Sequence, residues 1–240
     1  MKNVIAYITD PHLDEAGLAN FPVNVREDMK NMLQEVHAAG IKNVVIGGDI
    51  GDKASHTFTF DLLRQYAGSV KLTLGNHDKF KEVITYYNPL PSGREEMYYS
   101  EEHNGYKHIF LDSSAEEISA AQLEWFKQEM QTNKKVILFV HHPILGVNAE
   151  VDRAFPLKGR DDIAAVLQQH PNNVYIFCGH LHLDDEQTQG HIQQYVTPAV
   201  SVQFVKDAAT LEMDHKFFGY RIIEINDDGI DTEVMLKQRS

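Results

Sequence analysis

The sequence predicts an α/β fold in which helices pack against a parallel β-sheet. Short apolar and β-branched segments at 3–9, Asn43–Ile46 and 69–74 are typical of buried strands. The segments 25–39 and 58–67, which lie between them, place apolar side chains at helical spacing. Strands that alternate with helices form a parallel sheet, because each helix returns the chain to the side at which the next strand begins.

The rest of the chain continues this pattern without a repeat, a linker or a low-complexity segment. We expect a short helix at 79–87, a loop at 88–93, a hairpin of strands 97–102 and 106–112 that turns at Asn104-Gly105, helices at 119–132 and 159–170, strands at 135–140 and 173–178, and a mostly β segment at 192–237 with a polar connection at 206–216. The sequence therefore predicts a single domain over residues 1–240.

The composition argues against several classes of protein. The 240 residues include 35 Asp or Glu and 22 Lys or Arg, for a formal charge of −13, and no basic cluster appears, so we expect no long nucleic acid as a partner. The single cysteine, Cys178, excludes an intramolecular disulfide framework and a Cys-rich metal site. The apolar segment at the N-terminus is too short for a signal peptide or a membrane span, which predicts a cytoplasmic protein without a membrane partner.

Five predicted strands each end in a cluster of polar residues. These clusters are Asp10-Pro11-His12, Gly48-Asp49, Gly75-Asn76-His77-Asp78, His141-His142-Pro143 and Gly179-His180-Leu181-His182. In parallel α/β sheets, ligands bind beyond the carboxyl ends of the strands. We therefore expect the five clusters to meet at one edge of the sheet.

Seven side chains in these clusters offer oxygen or nitrogen donors to metal ions. They are Asp10, His12, Asp49, Asn76, His141, His180 and His182. One zinc ion needs about four ligands, so seven ligands with one shared carboxylate suit two ions. Two ions about 3.5–4 Å apart can hold a bridging hydroxide and stabilise both the attacking and the leaving oxygen of a phosphoryl group. Each motif alone is common in turns, and it is their order and repeated position at strand ends that carry the prediction.

The second motif extends to Gly48-Asp49-Ile50-Gly51-Asp52. With this extension, the five motifs together resemble those of the calcineurin-like metallophosphoesterases. The segments 118–126 and 196–204, together with Gly219-Tyr220-Arg221 before a final hairpin, resemble the bacterial cyclic AMP phosphodiesterase branch of that family, the Icc-type or class III enzymes. The resemblance covers nearly the whole chain. It implies a four-layer α/β/β/α sandwich with two mixed β-sheets.

The resemblance also implies a role for each motif residue. A first ion would be held by Asp10, His12 and His182, a second by Asn76, His141 and His180, and Asp49 would bridge them. The expected catalytic residues are His77, which contacts the phosphoryl group as a general acid or only positions it, and Asp52, its carboxylate partner. The side chains expected beside the bound substrate are His12, Asn76, His77 and His182.

The implied activity is hydrolysis of a small phosphodiester, such as a 3′,5′-cyclic nucleotide, by a hydroxide that bridges two ions of Fe, Mn or Zn. A glycerophosphodiesterase, a phosphomonoesterase or a catalytically silent scaffold with the same fold are the alternatives. The family often forms homodimers, so a homodimer is also possible here. The roles of two further residues stay open. Asp78 either supports the ligands or caps the next helix. His142 either reaches the substrate or, as its position next to a ligand on a strand favours, has a structural role.

Overall fold

The computed structural model describes residues 3–239 and consists of four layers. Two β-sheets pack face to face, and helices cover the outer face of each sheet. This arrangement confirms the α/β/β/α sandwich that the resemblance implies. Within the described range, no helix has the length and hydropathy needed to cross a bilayer.

Residues 3–239 contain thirteen strands and six α-helices, and helices alternate with strands or hairpins up to β7. The strands are β1 (Asn3–Ile8), β2 (Asn43–Ile46), β3 (Ser69–Leu72), β4 (Tyr99–His103), β5 (Tyr106–Phe110), β6 (Lys135–Phe139), β7 (Val174–Cys178), β8 (Asp185–Gln189), β9 (Ile192–Val196), β10 (Gln203–Phe204), β11 (Met213–Asp214), β12 (Phe217–Ile225) and β13 (Ile230–Gln238). The helices are α1 (Val25–Ala38), α2 (His56–Tyr66), α3 (Phe80–Val83), α4 (Ala120–Glu129), α5 (Glu150–Ala154) and α6 (Arg160–Gln168).

Both large sheets are mixed. The first has the order β13-β12-β1-β2-β3, in which β1, β2 and β3 are parallel and β12 is antiparallel to both of its neighbours. The second has the order β4-β5-β6-β7-β9-β8, in which the four central strands are parallel and the two edge strands are antiparallel to them. A separate two-stranded ribbon is formed by β10 and β11.

Alternate side chains of the central strands face different layers. In β1, Ile5 and Tyr7 lie between the two sheets, whereas Ala6 and Ile8 pack toward the outer helices. The strand β6 alternates in the same way between the core of the sandwich and its own helical layer. Because both faces of these strands are covered, their sequences are apolar at every position after the first residue. This is why they are visible in the sequence as continuous apolar segments.

The predicted elements agree with the structure within a few residues. Helix α5 and strand β8 were not predicted, and the two-residue strand β11 lies in the segment predicted as a polar connection. At the predicted hairpin turn, Asn104 and Gly105 have φ angles of 50° and 80°, as a type I′ turn requires. The missed helix α5 has five residues, too few for a helical period to be recognised. The missed strand β8 is a polar edge strand, with the sequence DEQTQ, so it lacks an apolar run.

Buried Arg221 joins the two sheets close to the last polar cluster. It lies on β12 and is 1% exposed. Its guanidinium donates to the carboxylate of Asp184 at 2.6 Å and to the carbonyl of Val196 at 2.9 Å. Val196 ends β9 in the second sheet, and Asp184 lies two residues after His182. Arg221 therefore holds the segment that carries His182 against the first sheet.

We expect Arg221→Met to lower the free energy of unfolding by about 3 kcal/mol, because the carbonyl of Val196 loses a buried donor and Asp184 loses its cation. Urea titrations followed by circular dichroism measure this change. The matched control is Arg64→Met, which breaks an exposed ion pair with Asp61 and should cost less than about 0.5 kcal/mol. Equal losses in the two variants would contradict the buried role of Arg221.

Candidate metal centre

The polar clusters meet at one end of the sandwich. Asp10, Asp49 and Asn76 follow β1, β2 and β3, which are neighbours in the first sheet. His141 and His180 follow β6 and β7, which are neighbours in the second sheet. Because the sheets pack face to face, the structure brings the predicted donors of both sheets together.

The loops after β1 and β2 continue to pair beyond the ends of the strands. The backbone N–H groups of Asp10 and His12 donate to the carbonyls of Gly48 and Asp49, at 3.1 and 2.9 Å. The N–H of Leu13 then donates to the carbonyl of Ile50 at 3.1 Å. This extended pairing fixes the first cluster against the second, and it places the carboxylates of Asp10 and Asp49 side by side.

Five of the predicted ligands have backbone conformations that are unusual for residues with a side chain. Their φ angles are 54° for Asp10, 45° for His12, 52° for Asp49, 66° for His180 and 47° for His182. Each such conformation costs roughly 1–3 kcal/mol and persists only where surrounding contacts enforce it. In folded proteins this kind of strain is concentrated at functional sites. The positions with predicted chemistry are therefore also positions of backbone strain.

Asp10, His12 and His182 form the first group of donors. The Nε2 atoms of the two imidazoles are 3.1 Å apart. Oδ1 of Asp10 lies 3.2 Å from Nε2 of His182 and 3.9 Å from Nε2 of His12. The candidate ligand atoms of this group all lie within 4.8 Å of one another, close enough to surround one cation.

Asp49 joins the first group to a second. Its Oδ2 lies 3.4 Å from Nε2 of His12 and 3.3 Å from Nε2 of His141. One carboxylate oxygen therefore faces imidazoles of both groups. Asp49, His141 and His180 also have their candidate ligand atoms within 4.8 Å of one another. This is the geometry expected for a ligand shared by two ions.

Each of the four imidazoles is held through one ring nitrogen and leaves the other free for a metal ion. The holding contacts are Nδ1 of His12 with the Glu15 carboxylate (3.1 Å), Nδ1 of His141 with the Gly47 carbonyl (2.7 Å), Nδ1 of His182 with the Val202 carbonyl (2.8 Å) and Nε2 of His180 with the Phe155 carbonyl (2.9 Å). Such contacts fix the tautomer and the orientation of a ligating histidine.

Two buried atoms of the centre support a cation site because they make no hydrogen bond among the described residues. Oδ1 of Asn76 and Nε2 of His141 are buried, and neither makes a hydrogen bond within residues 3–239. A buried polar atom without a partner costs about 1–3 kcal/mol, which coordination of a cation would relieve. The donors are nitrogen and oxygen atoms without a thiolate, as suits Fe, Mn or Zn. The seven predicted residues thus fit a pair of metal ions.

Opposite charges compensate one another in the centre. Burial disfavours the ionised form of Asp10 and Asp49, but the facing imidazoles of His182 and His141 outweigh this effect and lower the pKa of both carboxyls. Burial also opposes the charge on His141, yet the two carboxylates raise its pKa to about 10. A proton on His141 is therefore favoured beside the two carboxylates, and binding of a metal ion to its Nε2 would release that proton.

The comparison with known protein families agrees with this geometry. Residues 4–184 match the family described as calcineurin-like phosphoesterase. The chain belongs to this family. Its members hold a dinuclear metal centre. The candidate ligands for that centre here are the group of Asp10, His12 and His182 and the group of Asp49, His141 and His180.

Sequences of similar proteins align with nearly the full length of this calcineurin-like phosphoesterase. A "probable cyclic nucleotide phosphodiesterase" of Fibrobacter succinogenes is 27% identical over 241 residues, with 96% of this chain and 92% of the relative covered. The "3′,5′-cyclic adenosine monophosphate phosphodiesterase CpdA" of Escherichia coli K12 is 25% identical, with 96% and 88% covered. The crystal structure of a dimetal phosphatase from Danio rerio matches with a TM-score of 0.67 at 13% identity over 99% of each chain, which shows the shared fold.

Asp78 holds the loops of this phosphoesterase and does not cap a helix. Its buried carboxylate accepts N–H groups from Asp49 at 2.8 Å, from Ile50 at 2.9 Å and from Gly75 at 2.9 Å. Helix α3 begins after Lys79, which is its N-cap. Of the two roles that the sequence left open, the structure therefore supports the first, in which Asp78 positions the loops after β2 and β3.

Two glycines let the loops approach the candidate ligands. A Cβ atom at Gly75 would overlap the carboxylate of Asp49, and a Cβ atom at Gly179 would overlap the carboxylate of Asp10. The N–H of His180, the residue after Gly179, donates to that same carboxylate at 3.0 Å. A larger residue at either position would push a carboxylate out of the centre.

His77 pairs with Glu15 and not with Asp52. Nδ1 of His77 lies 2.8 Å from Oε2 of Glu15, and this hydrogen bond raises the pKa of His77 to about 9. Asp52 is exposed at the start of a 3₁₀ turn, and no hydrogen bond or ion pair of the described residues joins it to His77. The expected Asp52–His77 pair is therefore wrong. The cause is the turn at Asp14, where a φ of 62° redirects the chain so that Glu15 contacts both His12 and His77.

Sequence reasoning missed Glu15 although a signal was present. Glu15 is an acidic residue three positions after His12, in the same cluster at a strand end. His77 itself is half exposed, and its backbone N–H donates to Oδ1 of Asp49 at 2.8 Å. One ring nitrogen of His77 also lies within 4.8 Å of candidate ligand atoms of His12 and Asp49. That His77 is not a metal ligand stays a prediction.

His142 and Cys178 have structural surroundings. Nδ1 of His142 lies 2.8 Å from the Ser113 hydroxyl, and its buried ring lies against that of His180, with centroids 4.0 Å apart. Burial lowers the pKa of His142, so the ring is neutral at physiological pH. Cys178 is a buried free thiol in the outer core of the second sheet. Cys178 agrees with the structural role expected for it, whereas His142, although buried, also lines the cavity beside the metal centre, so that its structural role stays a prediction.

We expect Asp49→Asn to reduce the metal content of the purified protein below two ions per chain and to lower its turnover together with that content. The physical reason is that an amide removes the negative charge that a pair of neighbouring cations requires. Metal analysis by mass spectrometry after gel filtration measures the effect. Asp14→Asn, at a half-exposed carboxylate outside both groups, is the control. Two tightly bound ions in the Asp49→Asn protein would contradict the bridging position.

We expect Glu15→Gln to slow hydrolysis more for esters with a poor leaving group than for p-nitrophenyl esters, by roughly tenfold or more in the ratio of rates. An amide at this position no longer orients a protonated His77, and p-nitrophenolate leaves without a proton. Asp52→Asn is the matched control, and the ratio should stay at the wild-type value. The opposite result, a change with Asp52→Asn and none with Glu15→Gln, would restore the pairing expected from the sequence.

Proposed function

We propose that this protein hydrolyses a small phosphodiester, such as a 3′,5′-cyclic nucleotide, at a centre of two metal ions. The observation that carries the proposal is the position of Asp49, one oxygen of which faces imidazoles of both donor groups. The names of the relatives from Fibrobacter succinogenes and Escherichia coli, each aligned over 96% of this chain, support a cyclic nucleotide as the substrate class.

The proposed ligand set follows the two groups. The first ion is held by Asp10, His12 and His182, the second by Asn76, His141 and His180, and Asp49 is shared. The ions are Fe, Mn or Zn, which suit mixed nitrogen and oxygen donors. When bound, they supply positive charge that lowers the pKa of water and stabilises negative charge on phosphoryl oxygens. His12, Asn76 and His182 line the cavity that would hold the substrate phosphate.

The role of His77 follows from its hydrogen bond to Glu15. Hydrolysis of a 3′,5′-cyclic nucleotide breaks one bond from phosphorus to ribose oxygen, forms a bond from phosphorus to a water oxygen, and requires a proton on the ribose oxygen that leaves. Glu15 engages Nδ1 of His77, so Nε2 is the ring atom that can donate this proton. The hydrogen bond to Glu15 raises the pKa of His77 to about 9, which favours the protonated ring.

Charge restricts the kinds of substrate. With a formal charge of −13, the protein does not favour a long nucleic acid. A small phosphodiester presents a single negative charge, which the ions can attract locally. A cytoplasmic location fits such a substrate, and location and homodimer formation both stay predictions.

The experiment is a substrate panel on protein reconstituted separately with Mn, Fe and Zn. The panel contains cyclic AMP, glycerophosphoethanolamine, bis-p-nitrophenyl phosphate and p-nitrophenyl phosphate. We expect the highest kcat/KM with a diester, and cyclic AMP to exceed glycerophosphoethanolamine. Asp49→Asn protein, purified in parallel, controls for a contaminating phosphatase.

Other results identify the alternatives. A preference for p-nitrophenyl phosphate indicates a phosphomonoesterase, and a preference for glycerophosphoethanolamine indicates a glycerophosphodiesterase. Absence of turnover in protein that holds two ions per chain indicates a scaffold. Each of these outcomes overturns the proposed substrate class.

A further inference from the structure

We propose that three apolar side chains beside the metal centre bind the base of a nucleotide and thereby select cyclic nucleotides from other phosphodiesters. They are Phe155, Phe204 and Met213, called here the apolar wall. The inference rests on the proposed function, since it assigns the part of the substrate that does not react.

The apolar wall and the metal centre line one cavity. The cavity has a volume of about 370 Å³, within the range of small-molecule sites, and its lining includes His12, Asp49, Asn76, His180 and His182. None of the described residues between 79 and 96 lines it, in agreement with the absence of a large insertion there. Its other side comes from α5 and the segment after it, and from the ribbon of β10 and β11.

The apolar wall is exposed to an unusual degree for its composition. Phe155 is 52% and Met213 is 47% exposed, and both belong to the small set of large apolar side chains that are exposed among residues 3–239. Val205 and Leu211, in the connection between β10 and β11, belong to the same set. An exposed apolar surface that is continuous with a polar cavity indicates a binding site, because exposure of apolar side chains to water does not stabilise the fold.

The backbone of each aromatic residue of the wall contacts a candidate metal ligand. The carbonyl of Phe155 accepts the hydrogen bond from Nε2 of His180, at 2.9 Å. The N–H of Phe204 donates to the carbonyl of His182 at 2.9 Å, and the rings of these two residues have centroids 5.5 Å apart. Met213 lies directly opposite Phe204 in the ribbon, so the two side chains share a face. A group bound against the apolar wall would therefore lie close to a phosphate bound at the metal centre.

The charges around the cavity favour a neutral, flat occupant. Lys158 is the single Lys or Arg in the described lining, and its ammonium pairs with the carboxylate of Glu116 at 3.0 Å. The wall thus offers little to a charged headgroup or to a second phosphate. A nucleobase is neutral, planar and held close to the phosphate by one sugar, and bases stack on aromatic side chains.

The test compares two phosphate monoesters that differ in the base. Isothermal titration calorimetry on the metal-loaded protein measures the affinity for 5′-AMP and for ribose 5-phosphate. Phe155→Ala should lower the ratio of these affinities by roughly five- to hundredfold, the effect of losing one base–aromatic stack. The affinity for ribose 5-phosphate should change less, because it reports contacts with the metal centre. Phe155→Tyr, which keeps a ring, should retain the wild-type ratio.

Two further variants test the proposal, Leu236→Ala as a matched control and Met213→Ala as a second change in the wall. Leu236→Ala removes a side chain of the same exposure, 52%, from β13 outside the cavity, and should leave the ratio unchanged. Met213→Ala should lower the ratio in the same direction as Phe155→Ala. A ratio near one in the wild-type protein, or no change in either wall variant, overturns the proposal while the turnover panel can still support a phosphodiesterase. A shift from dimer to monomer in Phe155→Ala, with an unchanged ratio, would identify the wall as an interface between copies of the chain and would also overturn it.

Discussion

The carboxylate of Asp49 is the group on which the arrangement of the site depends. It is 2% exposed, and a carboxylate in such a position is stable only with opposite charges and hydrogen-bond donors around it. Its two oxygens are engaged by different partners: Oδ2 faces His12 and His141, and Oδ1 accepts the N–H of His77. Residues from the ends of four strands therefore take their positions around one buried negative charge.

Backbone strain in the ligand residues is a consequence of this convergence. Asp10 and Asp49 follow parallel neighbouring strands and both turn their carboxylates toward His12 and His141, and both have positive φ angles. The pairing that continues from β1 and β2 into the loops, together with the buried carboxylate of Asp78, holds them in these conformations. The strained loops lower the stability of the fold relative to relaxed loops, but they fix the positions of the donor atoms. This combination is common at functional sites.

In the proposed function, the phosphate binds at the ends of the buried strands, and the rest of the substrate contacts residues outside the sheets. The candidate ligands follow buried strands, whose positions are fixed by the two sheets. Phe155 and Met213 lie outside the sheets, on a short helix end and on a two-stranded ribbon, where a side chain can change without disturbing the core. Such a separation would allow the cavity lining to change while the candidate metal centre stays the same.

The sequence by itself determined the order of the elements and the candidate ligand set, because apolar strands covered on both faces are visible as runs and their ends fall at the polar clusters. It also indicated the hairpin at Asn104-Gly105, since its turn depends on local backbone preference. Only the tertiary structure decided that Glu15, and not Asp52, contacts His77, because that contact joins residues separated by 62 positions through a turn at Asp14. The position of Phe155 beside His180 was equally hidden, since it depends on a five-residue helix and on one backbone hydrogen bond between distant segments.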